Sequence, residues 1–212
     1  MPDHAYDLAQ GAARADLCRY LAACYYEPTP AFAEERMFAA MLAVATTLGA
    51  AYAEPVRRLG EAFAGTALQD LLVDYTRLFI GPIGTLAKPY GSVWLAGDVT
   101  LMQDSSVAVE ALYEEGGFAL DQEFRELPDH VAAELEFLYL LIHEQNVAQA
   151  RSDLPAVHGN ADLRRRFLAA HLGAWAPPFA HAAAAGAQTA FYRELAALTE
   201  RFVADETAAV RE

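Results

Sequence analysis

The sequence predicts an all-α protein, a single globular multi-helix domain with a hinge before its C-terminal helices. Three observations lead there. Apolar residues recur near the 3.6-residue period through most of the 212 residues, and strict alternation over four or more residues is scarce. Alanine abounds and β-branched residues are few, a balance that favours helix. A composition 55% hydrophobic and 21% charged, at this length, is that of a chain that buries a sizeable core.

Each element has its own signal. Leu17, Leu21, Cys24 and Tyr25 form the first stripe, and Glu27-Pro-Thr-Pro30 stops it. Phe32, Met37, Phe38, Met41, Leu42 and Leu48 predict a second helix closed by Gly49, and a shorter one over 54–63 ends at Gly65. Thr66 is the expected cap of the next, which carries Leu68, Leu71, Leu72, Tyr75, Leu78 and Phe79 and ends at Gly81-Pro82. Helical pattern resumes over 98–115, and Gly116-Gly117 stops it. Pro128 is read as opening the longest helix, with Asp129 in its first turn, where a carboxylate suits the helix dipole. Val131, Leu135, Leu138 and Ile142 make its stripe, while Phe137, Tyr139, Leu140 and Leu141 fill the other sides. A helix apolar nearly all round is central and buried, and the 66–80 and 98–115 helices are its expected neighbours. Residues 146–160, with Pro155 and Gly159, read as a hinge between a main block over 1–145 and C-terminal helices over 161–212. Those helices are expected over 162–172, from Pro177-Pro178 to Gly186, and over 190–205. A hinge of this kind predicts mainly monomer with a possible domain-swapped dimer.

The net charge of −14 argues against nucleic acid as a partner and favours a cationic one, or plain solubility. The longest apolar run, 135–142, is interrupted by Glu136 and falls short of the roughly 20 residues a membrane span needs. The N-terminal residues are acidic and lack the basic start of a secretion signal, so the cytoplasm is the expected compartment. Cys18 and Cys24, six apart, fall on different helix faces and read as buried free thiols, neither a redox pair nor a disulfide.

The search for catalytic and cofactor chemistry is nearly empty. Residues 81–88 superficially suggest a phosphate loop, but the Gly-Lys-Ser/Thr ending is missing, and neither a nucleophile elbow nor a dinucleotide fingerprint occurs. His143-Glu144 lacks the second histidine of a zinc helix. His130 and Glu134, four apart on one face, suit a shared metal or proton, but a hydrogen-bonded pair fixing the helix start is the simpler expectation. His4, His158, His171 and His181 have no ligand spacing and are expected at the surface. No catalytic residue, metal or cofactor is expected; the rival is a helical nucleotide or metal enzyme using Asp129, His130 and Glu134.

Two segments stand apart. One is Tyr75-Thr-Arg-Leu-Phe-Ile-Gly-Pro82, running on to Lys88-Pro-Tyr-Gly-Ser-Val-Trp94; the other is Leu127-Pro-Asp-His-Val-Ala-Ala-Glu-Leu-Glu-Phe-Leu138. Each joins helical spacing to a Pro/Gly loop with aromatics or a charged pair, and loops that present aromatics beside a rigid scaffold carry binding function. Tyr90 and Trp94 also suit a core folded under their own loop.

On these segments the sequence resembles the TorD/DmsD family, cytoplasmic chaperones of bacterial molybdoenzymes exported by the twin-arginine route. The resemblance rests on Tyr75, Leu78, Phe79, Gly81, Pro82, Pro89, Tyr90, Ser92, Val93, Trp94, Pro128, Asp129, His130, Glu134, Leu135, Phe137 and Leu138. Lys88 stands where relatives often carry proline, and some relatives have tryptophan in place of Tyr75 or Tyr90. The resemblance implies a non-enzyme that holds a molybdopterin oxidoreductase catalytic subunit, through its twin-arginine leader and its immature body, until cofactor insertion is complete. A leaderless client of the nitrate-reductase type is the alternative. Implied leader-binding residues are Tyr75, Leu78, Phe79, Pro89, Tyr90, Trp94, Asp129 and His130, with Gly81, Pro82, Ser92, Glu134, Phe137 and Leu138 as framework. In this reading Asp129 pairs with a leader guanidinium in the bidentate geometry arginine favours, His130 orients that carboxylate, and the aromatics take the apolar stretch.

Overall fold

A computed structural model describes residues 7–81, 85–95, 99–121 and 124–211, with backbone alone for 99–104. In chain order the helices are α1 (Leu8–Ala23), α2 (Ala31–Glu34), α3 (Met37–Thr47), α4 (Ala50–Ala64), α5 (Leu68–Tyr75), α6 (Gly91–Leu95), α7 (Val99–Glu115), α8 (Val131–Ala150), α9 (Leu154–Ala170), α10 (Leu172–Gly186) and α11 (Ala190–Ala209). A π-helical turn, Thr76–Ile80, prolongs α5. Among the described residues there is no strand, only one isolated antiparallel bridge between Tyr90 and His130. The all-α expectation holds.

Helix α8 is central, as its all-round apolar sequence requires: Val131, Leu135, Phe137, Leu138, Leu141 and Ile142 are all buried. Its neighbours differ from the expected pair. It packs chiefly on α1 and α9, and less on α10. Helix α1 comes close because it offers small residues, Gly11, Ala15 and Ala22, and the Cys18 thiol donates to the Leu135 carbonyl at 3.2 Å. Helix α7 touches α8 where the Tyr113 ring meets that of Phe137 at 4.7 Å. The α5 segment lies elsewhere, Phe79 packing on Tyr25, Phe179 and Tyr192. Stripe strength says that a face is buried, not which helix buries it. Cys18 and Cys24 are buried and free.

Four local expectations fail for identifiable reasons. Helix α8 starts at Val131, not Pro128, because residues 129–131 are held extended by pairing with 89–91; His130 becomes the cap, its Nδ1 accepting from the Ala132 amide at 3.2 Å. Thr66 does not cap α5; Ala67 holds that position, and the Thr66 hydroxyl donates back to the Ala62 carbonyl at 2.7 Å. Pro177 and Pro178 lie inside α10, not at its start, since Leu172, Trp175 and Ala176 belong to the same buried face as Phe179. Most of 146–160 is helical: α8 runs to Ala150, and after a turn over 151–153 Asp153 caps α9, with Pro155 in the first turn, where proline fits. The polar composition that reads as a linker is the exposed face of two helix ends.

His171 is also corrected, being 4% exposed at the α9–α10 junction and not a surface residue. His158 and His181 are exposed, and His4 lies outside the described residues. No described helix is long and apolar enough to cross a membrane.

Candidate functional site

The two motif segments meet. The Gly91 amide donates to the Asp129 carbonyl at 2.9 Å, and the Val131 amide donates to the Pro89 carbonyl at 2.8 Å. The Asp129 carboxylate continues the seam, accepting from the Ser92 amide at 2.7 Å and the Ser106 hydroxyl at 3.1 Å. Gly91 is there because nothing larger fits: a Cβ would lie 2.7 Å from Trp175 Nε1 and 3.0 Å from Glu134 Oε1. Upstream, the Gly81 amide closes the π-helical turn onto the Thr76 carbonyl at 2.7 Å, and the Ala87 amide donates to the Leu78 carbonyl at 2.9 Å. Pro82 lies outside the described residues.

Between the seam and the π-helical turn lies an open groove of about 370 Å³, lined among others by Phe79, Ile80, Lys88, Tyr90, Glu126 and Leu127. Its rim is apolar: Ile80 is 58% exposed and Leu127 52%. Glu126 is exposed and accepts a hydrogen bond from the Tyr90 hydroxyl. Glu27 is also exposed, and burial together with the charges of Glu126 and Glu27 pushes the Tyr75 phenol up to about 12. The groove therefore carries a carboxylate and an ammonium, Glu126 and Lys88, beside its apolar rim.

Of the residues expected to bind, Tyr90 and Phe79 line the groove and Trp94 lies beside it, its Nε1 donating to the Lys88 carbonyl at 2.8 Å. Leu78 is wholly buried, and Tyr75 nearly so, donating to the Tyr25 carbonyl at 3.3 Å. Pro89 is buried at the seam. Asp129 is 0% exposed and His130 4%, so neither presents a charge to an arriving guanidinium. His130 and Glu134 do not bond through their side chains: the Glu134 carboxylate accepts from Trp175 Nε1 at 3.0 Å. Ser92 starts α6, and Phe137 and Leu138 are core. Sequence reasoning missed Glu126, Ile80 and Leu127; the signal available was a carboxylate three residues before Asp129 in the same loop. Among the described residues no three His, Cys, Asp or Glu side chains are grouped to hold a metal, and Asp129, His130 and Glu134 each serve the framework.

The nitrate reductase delta subunit family model matches residues 45–181. Those residues contain both motif segments and the seam that joins them. This chain belongs to the TorD/DmsD family. It is 29% identical to the Tat proofreading chaperone DmsD of Salmonella typhi over 69% of its length and 65% of the relative's. To the perchlorate reductase assembly chaperone of Dechloromonas aromatica it is 31% identical, covering 61% of this chain and 58% of the relative. To the chaperone TorD of Photobacterium profundum it is 30% identical, covering 58% and 56%. The matched part is thus less than two thirds of these relatives' own lengths. A solved structure of a proposed redox enzyme maturation protein from Archaeoglobus fulgidus shares the fold, with a TM-score of 0.55 at 22% identity, covering 89% of this chain and 92% of that one.

In this TorD/DmsD-family chain Asp129 and His130 are both buried where the two segments meet. Asp129→Asn keeps one acceptor oxygen for the Ser92 amide but removes the charge from that bond and turns the group facing the Ser106 hydroxyl from acceptor to donor, so that hydroxyl must rotate to accept. We expect a loss of about 1–3 kcal/mol of stability, measured by urea unfolding. Unchanged stability would mean that the seam does not depend on this carboxylate.

Burial is the main cause that lowers His130 to about 4 from its ordinary 6.5, with Glu126 and Asp129 pulling the other way. The unfolded chain therefore takes up a proton between pH 6.5 and 4 that the folded chain refuses. Stability should fall over that window as pH drops, by up to about 3 kcal/mol from this group. Glu134 runs the other way: burial raises its carboxyl well above 4.5, so its contribution is complete below that pH and declines as pH rises. Unfolding followed by circular dichroism across pH, with Glu134→Gln to remove the second slope, separates the two.

Proposed function

We propose that this protein is a non-catalytic cytoplasmic chaperone that binds an immature molybdopterin oxidoreductase subunit, by its twin-arginine leader or its cofactor-free body, before export. The observation that carries the reading is the groove itself. Two separate motif segments combine to make one groove with an apolar rim, lined by Phe79 and Tyr90 and carrying the exposed Glu126. Paired arginines followed by an apolar stretch have the complementary chemistry: guanidinium against carboxylate, stacking on Tyr90 or Trp94, and apolar contact with Ile80 and Leu127. The relatives' names, proofreading and assembly chaperones, support the same class.

The binding role passes from Asp129 to Glu126, with Tyr90, Phe79 and Trp94 retained. A leader disordered when free loses conformational entropy on binding, so affinity is moderate. Calorimetric titration of the full chain with a synthetic twin-arginine leader peptide tests the reading; saturable binding is expected, and no heat or displacement at high peptide concentration would remove it. The family model's description as a nitrate reductase delta subunit favours one second reading, a leaderless client recognised through a body segment of the same chemistry. The protein is chiefly monomer, and the turn at 151–153 is the place where an exchanged dimer would open.

A further inference from the structure

The chain carries one lysine among its fifteen Lys and Arg residues, and that lysine, Lys88, lines the groove. Its backbone is fixed on every side. Ala87 before it is buried and hydrogen-bonded to the Leu78 carbonyl at 2.9 Å, its own carbonyl accepts from Trp94 Nε1 at 2.8 Å, and Pro89 after it accepts from the Val131 amide at 2.8 Å. From this pinned backbone an exposed ammonium projects at the groove. Glu126 lines the same groove, yet no described carboxylate lies within ion-pair distance of Lys88. Glu126 is engaged instead by the Tyr90 hydroxyl. The groove thus carries two exposed groups of opposite sign that do not pair with each other, and both are open to a ligand.

We infer that Lys88 is a specificity residue that selects a carboxylate in the client segment, at a fixed displacement from the arginines taken by Glu126. This rests on the peptide-binding reading of the groove and adds a condition to it: arginines alone satisfy one of the two groups, and the favoured client also carries an acidic side chain where it passes Lys88. A lysine merely solvated at a loop tip would make no such distinction. In a chain of net charge −14, a single cation in the groove also repels arginines from the wrong end and so fixes the direction in which the segment lies.

The test scans a single glutamate through a synthetic peptide that contains an arginine pair and an apolar stretch. Affinities for the wild type, Lys88→Met and Lys88→Glu are measured at low salt. At one position or two neighbouring ones the glutamate should tighten binding to the wild type roughly three- to tenfold. It should leave Lys88→Met unaffected and weaken binding to Lys88→Glu; lysine at that peptide position should restore binding to Lys88→Glu. Because Lys88 is the only lysine, amine acetylation mapped by peptide mass gives a second readout, and the tightening peptide should slow its modification. If the parent peptide binds but no scanned position distinguishes the wild type from Lys88→Glu, this inference is overturned and the groove reading stands. If the parent peptide does not bind at all, both fall.

Discussion

Glu206→Ala should lower the free energy of unfolding by about 3–5 kcal/mol, the usual cost of removing one partner of a buried ion pair. The Glu206 side chain is 3% exposed, and its carboxylate accepts from Arg14 Nε and Nη2, each at 2.7 Å, with Arg164 Nη1 at 3.9 Å. The cluster joins α1, α9 and α11, the two ends of the chain and the helix after the 151–153 turn. At this chain length the loss corresponds to a fall in Tm of roughly 6–20 °C, readable by circular dichroism. The same cluster must break before α9–α11 can leave their place, so the variant should also raise the dimer fraction in chromatography with light scattering if exchange occurs at this turn. A Tm within two or three degrees of wild type (about 1 kcal/mol or less) would mean that the ion cluster contributes little.

Glu126→Arg carries the largest expected effect on binding. The residue is exposed at the groove, and its hydrogen bond to Tyr90 is a surface contact, so the fold should survive. Reversal replaces attraction for a guanidinium by repulsion, and the leader peptide should bind about tenfold more weakly or worse, mostly through slower association. Added salt should narrow the difference, because the charges face solvent. Glu126→Gln should fall between the two. Equal affinities for the wild type and Glu126→Arg would place the arginines elsewhere on the molecule.

The framework was far more legible in the sequence than the site. Helix α8 could be read because Val131, Leu135, Leu138 and Ile142 recur at helical period while Phe137 and Leu141 fill the flank, a pattern decided within the segment itself. The start of that helix could not, since it is decided by pairing of 129–131 with 89–91, some forty residues away in sequence. The same pairing buries Asp129. A carboxylate after proline at a helix start looks exposed and available; here it is buried and holds Ser92 and Ser106. Glu126 looked like any loop carboxylate until the fold set Tyr90 beside it. The stretch 146–160 misled because capped helix ends and linkers share a vocabulary of Asp, Ser, Pro and Gly. Only the Asp153 cap, with Pro155 just behind it, distinguishes them.

In the proposed function, two segments distant in sequence form one recognition surface. Hydrogen exchange of the full chain, with and without a bound twin-arginine leader peptide, tests it directly by reading every amide of both segments in one experiment. Added protection is expected over 85–95 and 124–131 together, at the same peptide concentration, with little change in α3 and α4, which contain neither segment. Protection of one segment without the other, or protection centred on α3 and α4, would contradict it.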